Sequence, residues 1–427
     1  MLIDFKFTNY KSFKNAAELN LTATKVTEYP HHVVETAGEK ILRTSAIYGA
    51  NASGKTNVYN ALNYMRYYVL NSFAFDEKTP DVIKLNPTYT IERLKPSPFL
   101  FDLESRNADT SFEIWITIPG DEKEYVYNYG FSLNKETVTE EWLNYKTRTG
   151  REYKPIFYRE AGKKPEYYTI SEKFRENLNI SLNDAALLVS LGAKLRIEKL
   201  EKIYSWFAGL ILLNFGNPID NMLLSMQMPP GFAEKEEIRK NVTEYINTFD
   251  TSIADLTVEK VKNPDNSEGF SIYAVHKDTK TGNLIKLPFP EESAGTLKMF
   301  ALYSPLQTAL KTGNVLFIDE LNDRLHPLLV RNLIQTFLDP ERNKNNAQLI
   351  FTTHDVWHLD SNLLRRDEIW FTEKGDNSET YLYSLVDFKG ENGDKIRNDE
   401  NILKNYLRGK YGAIPDLEEI HITEDKN

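Results

Sequence analysis

The chain contains no cysteine. That excludes disulfide scaffolds, cysteine-based zinc sites and thiol nucleophiles, and it agrees with a reducing, cytoplasmic location. Long apolar runs are missing too. The most apolar window, WFAGLILLNF from Trp206 to Phe215, falls well short of the roughly 18 residues a membrane helix needs, so no membrane association is expected. The opening MLIDFKFTNYKSF has no apolar stretch between basic residues and a cleavage site, and no secretion signal is expected. There is no excess of positive charge: 52 basic against 62 acidic side chains give a net charge of −10. Proteins that hold extended duplex on their surface are usually basic, because phosphate neutralisation drives that binding. Local patches leave contact with nucleic acid open, but the charge does not favour it. Sustained heptads, internal repeats and low-complexity tracts are also absent, which argues against a long coiled coil.

What is present is a globular composition, 41% apolar and 27% charged over 427 residues, enough for two domains or one with a large insertion. Leu2 to Phe7 alternates as a half-buried strand should, and Asn9 to Phe13 reads as a turn. Thr44 to Tyr48 is a short buried-strand candidate, and Thr56 to Phe73 carries apolar residues at helical spacing. Strands are expected at Ser111–Ile118 and Tyr125–Leu133, and mainly helix over 150–255, most clearly from Leu187 to Leu213. Short strands return near Ile272–Val275 and Leu284–Leu287, then α/β patterning with buried strands at Val315–Ile318 and Gln348–Thr352.

Between the strand at Thr44–Tyr48 and the following helix lies Gly49-Ala50-Asn51-Ala52-Ser53-Gly54-Lys55-Thr56, followed by Asn57. This is the G-x-x-x-x-G-K-[ST] pattern. Its glycines let backbone N–H groups turn inward onto phosphate oxygens, and the helix N-terminus adds positive potential there. Lys55 can reach the β- and γ-phosphates, and the Thr56 hydroxyl can ligate Mg²⁺. The strand–loop–helix context separates the motif from a chance match in a glycine turn. Asp319 and Glu320 end the apolar run Val315–Ile318. A buried strand delivers them to the carboxyl edge of the sheet, with Asp319 suited to Mg²⁺ and Glu320 to orienting the attacking water. Alone the pattern is weak; beside a phosphate loop it is the best candidate. His354 ends a second such run, 34 residues after Glu320, where an imidazole could meet a γ-phosphate. Ser293, Ala294, Gly295 and Thr296 open a helix from about Leu297 to Leu310. A small-residue turn there is either an anion site or an N-cap by Ser293.

The order of these features resembles the ABC-type heads of the SMC, RecF and OLD proteins over nearly the whole chain. The opening FTNYKSF is similar to that group's N-terminal motif, and the resemblance implies that Lys11 approaches the nucleotide. It further implies that Ser293 and Gly295 form a signature acting in trans on a second subunit's γ-phosphate. The run Asp319 to Pro327, with Leu325 and His326, is similar to that of OLD-like ATPases. The stretches Leu364–Phe371 and Leu407–Pro415 look like the RloA- and AbiLi-like ATPases of bacterial antiphage defence. The resemblance implies an α/β ABC-type head with a mixed central sheet, an antiparallel lobe and a mainly helical insertion. Residues 1–150 would form the first lobe, 151–255 the insertion and 256–427 the second lobe. ATP and Mg²⁺ are the expected cofactors, and a homodimer or higher homo-oligomer closed over ATP is the expected state. A separately encoded effector, such as a nuclease, is the expected partner, with a RecF- or SMC-like DNA repair ATPase as the alternative. The signature lacks the double glycine and terminal glutamine of transporters. No glutamine lies between the phosphate loop and Gln227, so the first-lobe glutamine of transporters has no counterpart. Tail acids such as Glu418, Glu419 and Asp425 read as a solvated terminus, and no intrinsic nuclease is expected.

Overall fold

The three runs read as buried strands are hidden along their whole length: β1 (Thr44–Tyr48), β3 (Val315–Asp319) and β4 (Gln348–Thr352). Strands covered on both faces read as continuous apolar stretches, and these do. With β2 (Ile211–Asn214) and β5 (Ile369–Lys374) they form a parallel array ordered β2-β3-β4-β1-β5. An antiparallel edge strand, Thr380–Ser384, completes a six-stranded mixed sheet. The structure is a computed structural model. It describes residues 1–75, 95–225, 227–262, 268–359, 362–389, 396 and 400–416, and the backbone of strands Val82–Asn86 and Tyr89–Glu92. The tail acids noted above lie outside these residues.

Alternation along the central strands sorts their side chains into two cores. Val315 and Phe317 join Ile47 and Ile350 on one face, against Val58, Leu62 and Met65 of helix α1 (Lys55–Asn71). Leu316 and Ile318 face the other way. They meet Leu302 and Leu306 of helix α2 (Ala294–Thr312) and Ile334 of the helix Pro327–Leu338. Burying such aliphatic side chains contributes about 1.5–3 kcal/mol each, and this fixes the strand register.

Beyond α1 lies a seven-stranded antiparallel sheet that includes Leu2–Thr8, Thr110–Thr117 and Val126–Asn134. The mixed sheet and antiparallel lobe expected from the sequence are both present. Among the described residues the segment 151–255 holds five helices, but strands as well. Lys154–Glu160 and Glu166–Tyr167 extend the antiparallel sheet, while β2 enters the central one. The stretch Leu187–Leu213 is therefore not helical throughout. Helices Leu188–Lys194 and Glu198–Gly209 end before Ile211, and β2 pairs in parallel with β3. The physical reason is that a short apolar run reads alike as buried helix or buried strand, and pairing with β3 decides. A third core joins a three-stranded sheet, Ile253–Lys262 with Glu268–Lys277 and Leu284–Pro288, to α2 through Phe289 and Phe300. Among the described residues no helix is long and apolar enough to cross a membrane.

Candidate nucleotide site

The parallel strands β1, β3 and β4 end at one sheet edge, and the phosphate loop, Asp319, Glu320 and His354 gather there. Gly49 follows β1 so closely packed that a Cβ would come within 2.5 Å of the Thr372 carbonyl and 2.6 Å of Ser53 Oγ. Gly54 caps α1 with φ 108°, and a Cβ there would meet Thr380 at 2.7 Å. These two positions require glycine, one for close approach and one also for its left-handed backbone. Ser53 Oγ pairs with Thr372 Oγ1 at 2.7 Å, so β5 braces the loop. Ala50, Asn51 and Ala52 complete the turn, Ala52 with φ 63°.

Lys55 is buried, and its Nζ donates to the carbonyls of Gly49 and Ala50 at 3.0 and 3.1 Å. It also lies 3.9 Å from Glu320 Oε1. Burial lowers its pKa, and the charges of Glu320 and Asp319 oppose that shift. Asp319 is fully buried at the end of β3. Its Oδ1 accepts from Thr352 Oγ1 at 2.6 Å, while Oδ2 is buried with no hydrogen-bond partner. Burial raises the Asp319 pKa, and the Thr352 and Thr56 hydroxyls and the charge of Lys55 restrain the rise. An orphaned carboxylate oxygen near a hydroxyl at the start of a helix is a fit for a hard divalent cation. Mg²⁺ commonly takes only one or two protein oxygens, the rest coming from phosphate and water. Among the described residues no cluster of three His, Cys, Asp or Glu could hold a metal by itself.

Glu320 adopts φ 54°, a left-handed conformation that costs a non-glycine residue about 1–2 kcal/mol. Its N–H donates to Thr352 Oγ1 at 2.9 Å. Its Oε2 lies 2.8 Å from His354 Nδ1. Asn322 Oδ1 accepts the Thr353 hydroxyl at 2.7 Å, which turns the amide Nδ2 toward His354 Nε2 at 3.2 Å. Nε2 therefore accepts and Nδ1–H donates to Glu320, the neutral tautomer. The imidazole itself is half exposed.

Lys11 sits in the Tyr10–Phe13 turn with φ 50° and its ammonium 5.8 Å from the Tyr10 ring. Burial lowers its pKa. The turn is tied to the phosphate loop by the next residue, Ser12. Its Oγ accepts from Asn57 Nδ2 at 2.7 Å and lies 2.8 Å from Thr380 Oγ1, which is itself 3.1 Å from the Ser53 carbonyl. Ser293 is the N-cap of α2, accepting from Thr296 N at 3.1 Å. Gly295 packs on the Arg324 carbonyl, 3.1 Å from where its Cβ would stand. The Ser293 contact stays within its own helix and the Gly295 contact runs to the loop after Glu320, neither to the phosphate loop. Ser12, Asn322, Thr352 and Thr372 were missed from the sequence. The Thr352-Thr353 pair before His354 was the available signal, since strand-end hydroxyls next to carboxylates hold them in place.

A phosphate loop between buried strand and helix, with an acidic strand end and a histidine beside it in a mixed sheet, defines an ATPase head of the AAA/ABC type. Residues 45–357 match the family described as AAA domain, putative AbiEii toxin, Type IV TA system, and the chain belongs to that family. No curated protein matches the chain. Among solved structures, the SMC head domain from Thermotoga maritima is 12% identical, with 90% of this chain and 98% of that one covered at a TM-score of 0.36. The recombination mediator RecF with ATP, of the RecFOR pathway, is 13% identical, covering 90% and 97% at a TM-score of 0.31.

Proposed function

We propose that the chain binds and hydrolyses ATP with Mg²⁺, and that two copies closing over ATP switch a separately encoded effector in antiphage defence. The observation that carries the enzymatic part is Glu320. It is held between His354 Nδ1 and Lys55 Nζ, beside the orphaned Asp319 Oδ2. Backbone N–H groups from Gly49 to Thr56, with Lys55, would cradle the phosphates, and Asn57 braces that loop through Ser12. Thr56 and Asp319 would hold Mg²⁺, which when bound neutralises charge on the β- and γ-phosphates. Glu320 then orients and accepts a proton from the attacking water, and His354 fixes the carboxylate's aim. Phosphoryl transfer needs little more than positioning and charge neutralisation.

Ser293 and Gly295 of one copy would cap the γ-phosphate held by the other, with Lys11 near the nucleotide. Because Ser293 serves Thr296 within its own chain, its phosphate role needs a second copy to bring a phosphate to it. A site finished only by assembly makes γ-phosphate a switch for quaternary state. The family description names a putative AbiEii toxin of a Type IV toxin–antitoxin system, which supports a role in abortive defence. The test is Mg-ATP hydrolysis by wild type, Lys55→Ala and Glu320→Gln. Turnover in wild type, with loss of ATP binding in the first variant and retained binding with only slow residual turnover in the second, supports the reading. Equal turnover in all three would refute it.

A further inference from the structure

Lys298, two residues beyond Thr296 on α2, is a lysine that the sequence marks in no way. Its side chain is almost wholly buried. The ammonium donates to three backbone carbonyls of one short loop: Glu320 at 3.2 Å, Leu321 at 3.0 Å and Asp323 at 2.7 Å. An ammonium has three N–H bonds, so every donor is used. Phe215, which follows β2 and donates its own N–H to the Asp319 carbonyl at 3.1 Å, lies under the charge at 4.1 Å from ring centroid to Nζ. Burying an ammonium is costly, and it persists only where its protons are satisfied and its surroundings are fixed.

The loop so gripped carries Glu320. That residue's peptide is fixed at both ends, its N–H by Thr352 Oγ1 and its carbonyl by Lys298. Leu321 N–H is bonded to the Thr352 carbonyl at 3.1 Å, and Asp323 N–H to the Glu320 carbonyl at 3.1 Å. A left-handed residue outside glycine stays so only when its neighbours over-determine it. From that backbone the Glu320 side chain reaches His354 and Lys55.

We infer that Lys298 is a positioning residue for Glu320, clamping the loop 320–323 so that the carboxylate holds its aim, and tying that aim to α2. The inference rests on the functional reading above. Since α2 also begins with Ser293 and Gly295, the clamp joins the surface offered to a second copy to the carboxylate of its own site. Gly295, packed on the Arg324 carbonyl, is the second point of contact between helix and loop.

The experiment compares ATP affinity, steady-state turnover and molar mass with Mg-ATP for wild type, Lys298→Met, Glu320→Gln and the double variant. Lys298→Met is expected to bind ATP within about threefold of wild type, to assemble as Glu320→Gln does, and to lose about 30-fold or more in kcat with KM little changed. If Lys298 acts through Glu320, the double variant turns over no more slowly than Glu320→Gln alone, whereas losses that multiply would overturn the inference. So would turnover of Lys298→Met within about threefold of wild type. Should the methionine variant fail to fold, Lys298→Arg replaces it. A planar guanidinium cannot converge on three carbonyls as an ammonium does, so kcat is expected to fall at constant KM, and an unchanged kcat would overturn the inference. Absence of Lys55-dependent turnover in wild type would instead sink the functional reading itself.

Discussion

His354 illustrates how one side chain's role depends on its neighbours' orientation. Thr353 sets the Asn322 amide, that amide sets the imidazole tautomer, and the tautomer presents Nδ1–H to Glu320. Replacing His354 by alanine frees the carboxylate without emptying the phosphate loop. Turnover is expected to fall about 10²-fold while ATP affinity stays near wild type, measured by steady-state kinetics and equilibrium binding. Asn322→Asp should also lose turnover, because a carboxylate cannot donate to Nε2. Gly54→Ala makes a contrasting case. Its Cβ would stand 2.7 Å from Thr380 on a backbone at φ 108°. The expected cost is about 1–3 kcal/mol of stability, read as a lowered denaturant midpoint, together with weakened ATP binding. The phosphate loop residues were all legible in the sequence, because glycine spacing, Lys55 and Thr56 make one rare pattern. Lys298 and Thr352 were not. Lys298 acts through backbone carbonyls of a loop distant in sequence, and Thr352 through Asp319 and the Glu320 N–H, so neither partner leaves a mark in spacing.

At the scale of elements, the strand Leu2–Thr8 carries a carboxylate whose charged form the fold disfavours. Asp4 is nearly buried with Oδ1 unpartnered, and burial, aided by Glu18, pushes its pKa up to about 8. A group raised in the folded state contributes stability below its ordinary value and loses it as pH climbs to the raised one. Asp4→Asn keeps the shape and stays neutral. Its advantage over wild type in thermal melts is therefore expected to be larger near pH 8 than near pH 4, close to the raised and the ordinary value of the group respectively. An advantage that is flat with pH would contradict this. The central elements themselves were readable wherever a strand was buried on both faces and bounded by polar residues, as β1, β3 and β4 are. The strand β2 was not. Its ILLN follows helical WFAG without a break in apolar character, and only parallel pairing with β3 makes it a strand. Missing it hid Phe215, which β2 delivers beneath Lys298.

For the whole molecule, the parts thought to act on γ-phosphate lie on two faces of one chain. Gly49 to Thr56, Asp319 and Glu320 gather at the sheet edge, while Ser293 and Gly295 spend their contacts on Thr296 and Arg324. Mixing two inactive variants tests most directly whether ATP is hydrolysed between copies. Lys55→Ala keeps the signature and spoils the phosphate loop; Ser293→Arg does the reverse. If each site is built from both chains, an equal mixture contains hybrid pairs with one intact site, and activity should recover to about a quarter of wild type. If the mixture is no faster than its components, or if Ser293→Arg alone hydrolyses ATP at the wild-type rate as a monomer, the site is complete within one chain and the shared-site account is wrong.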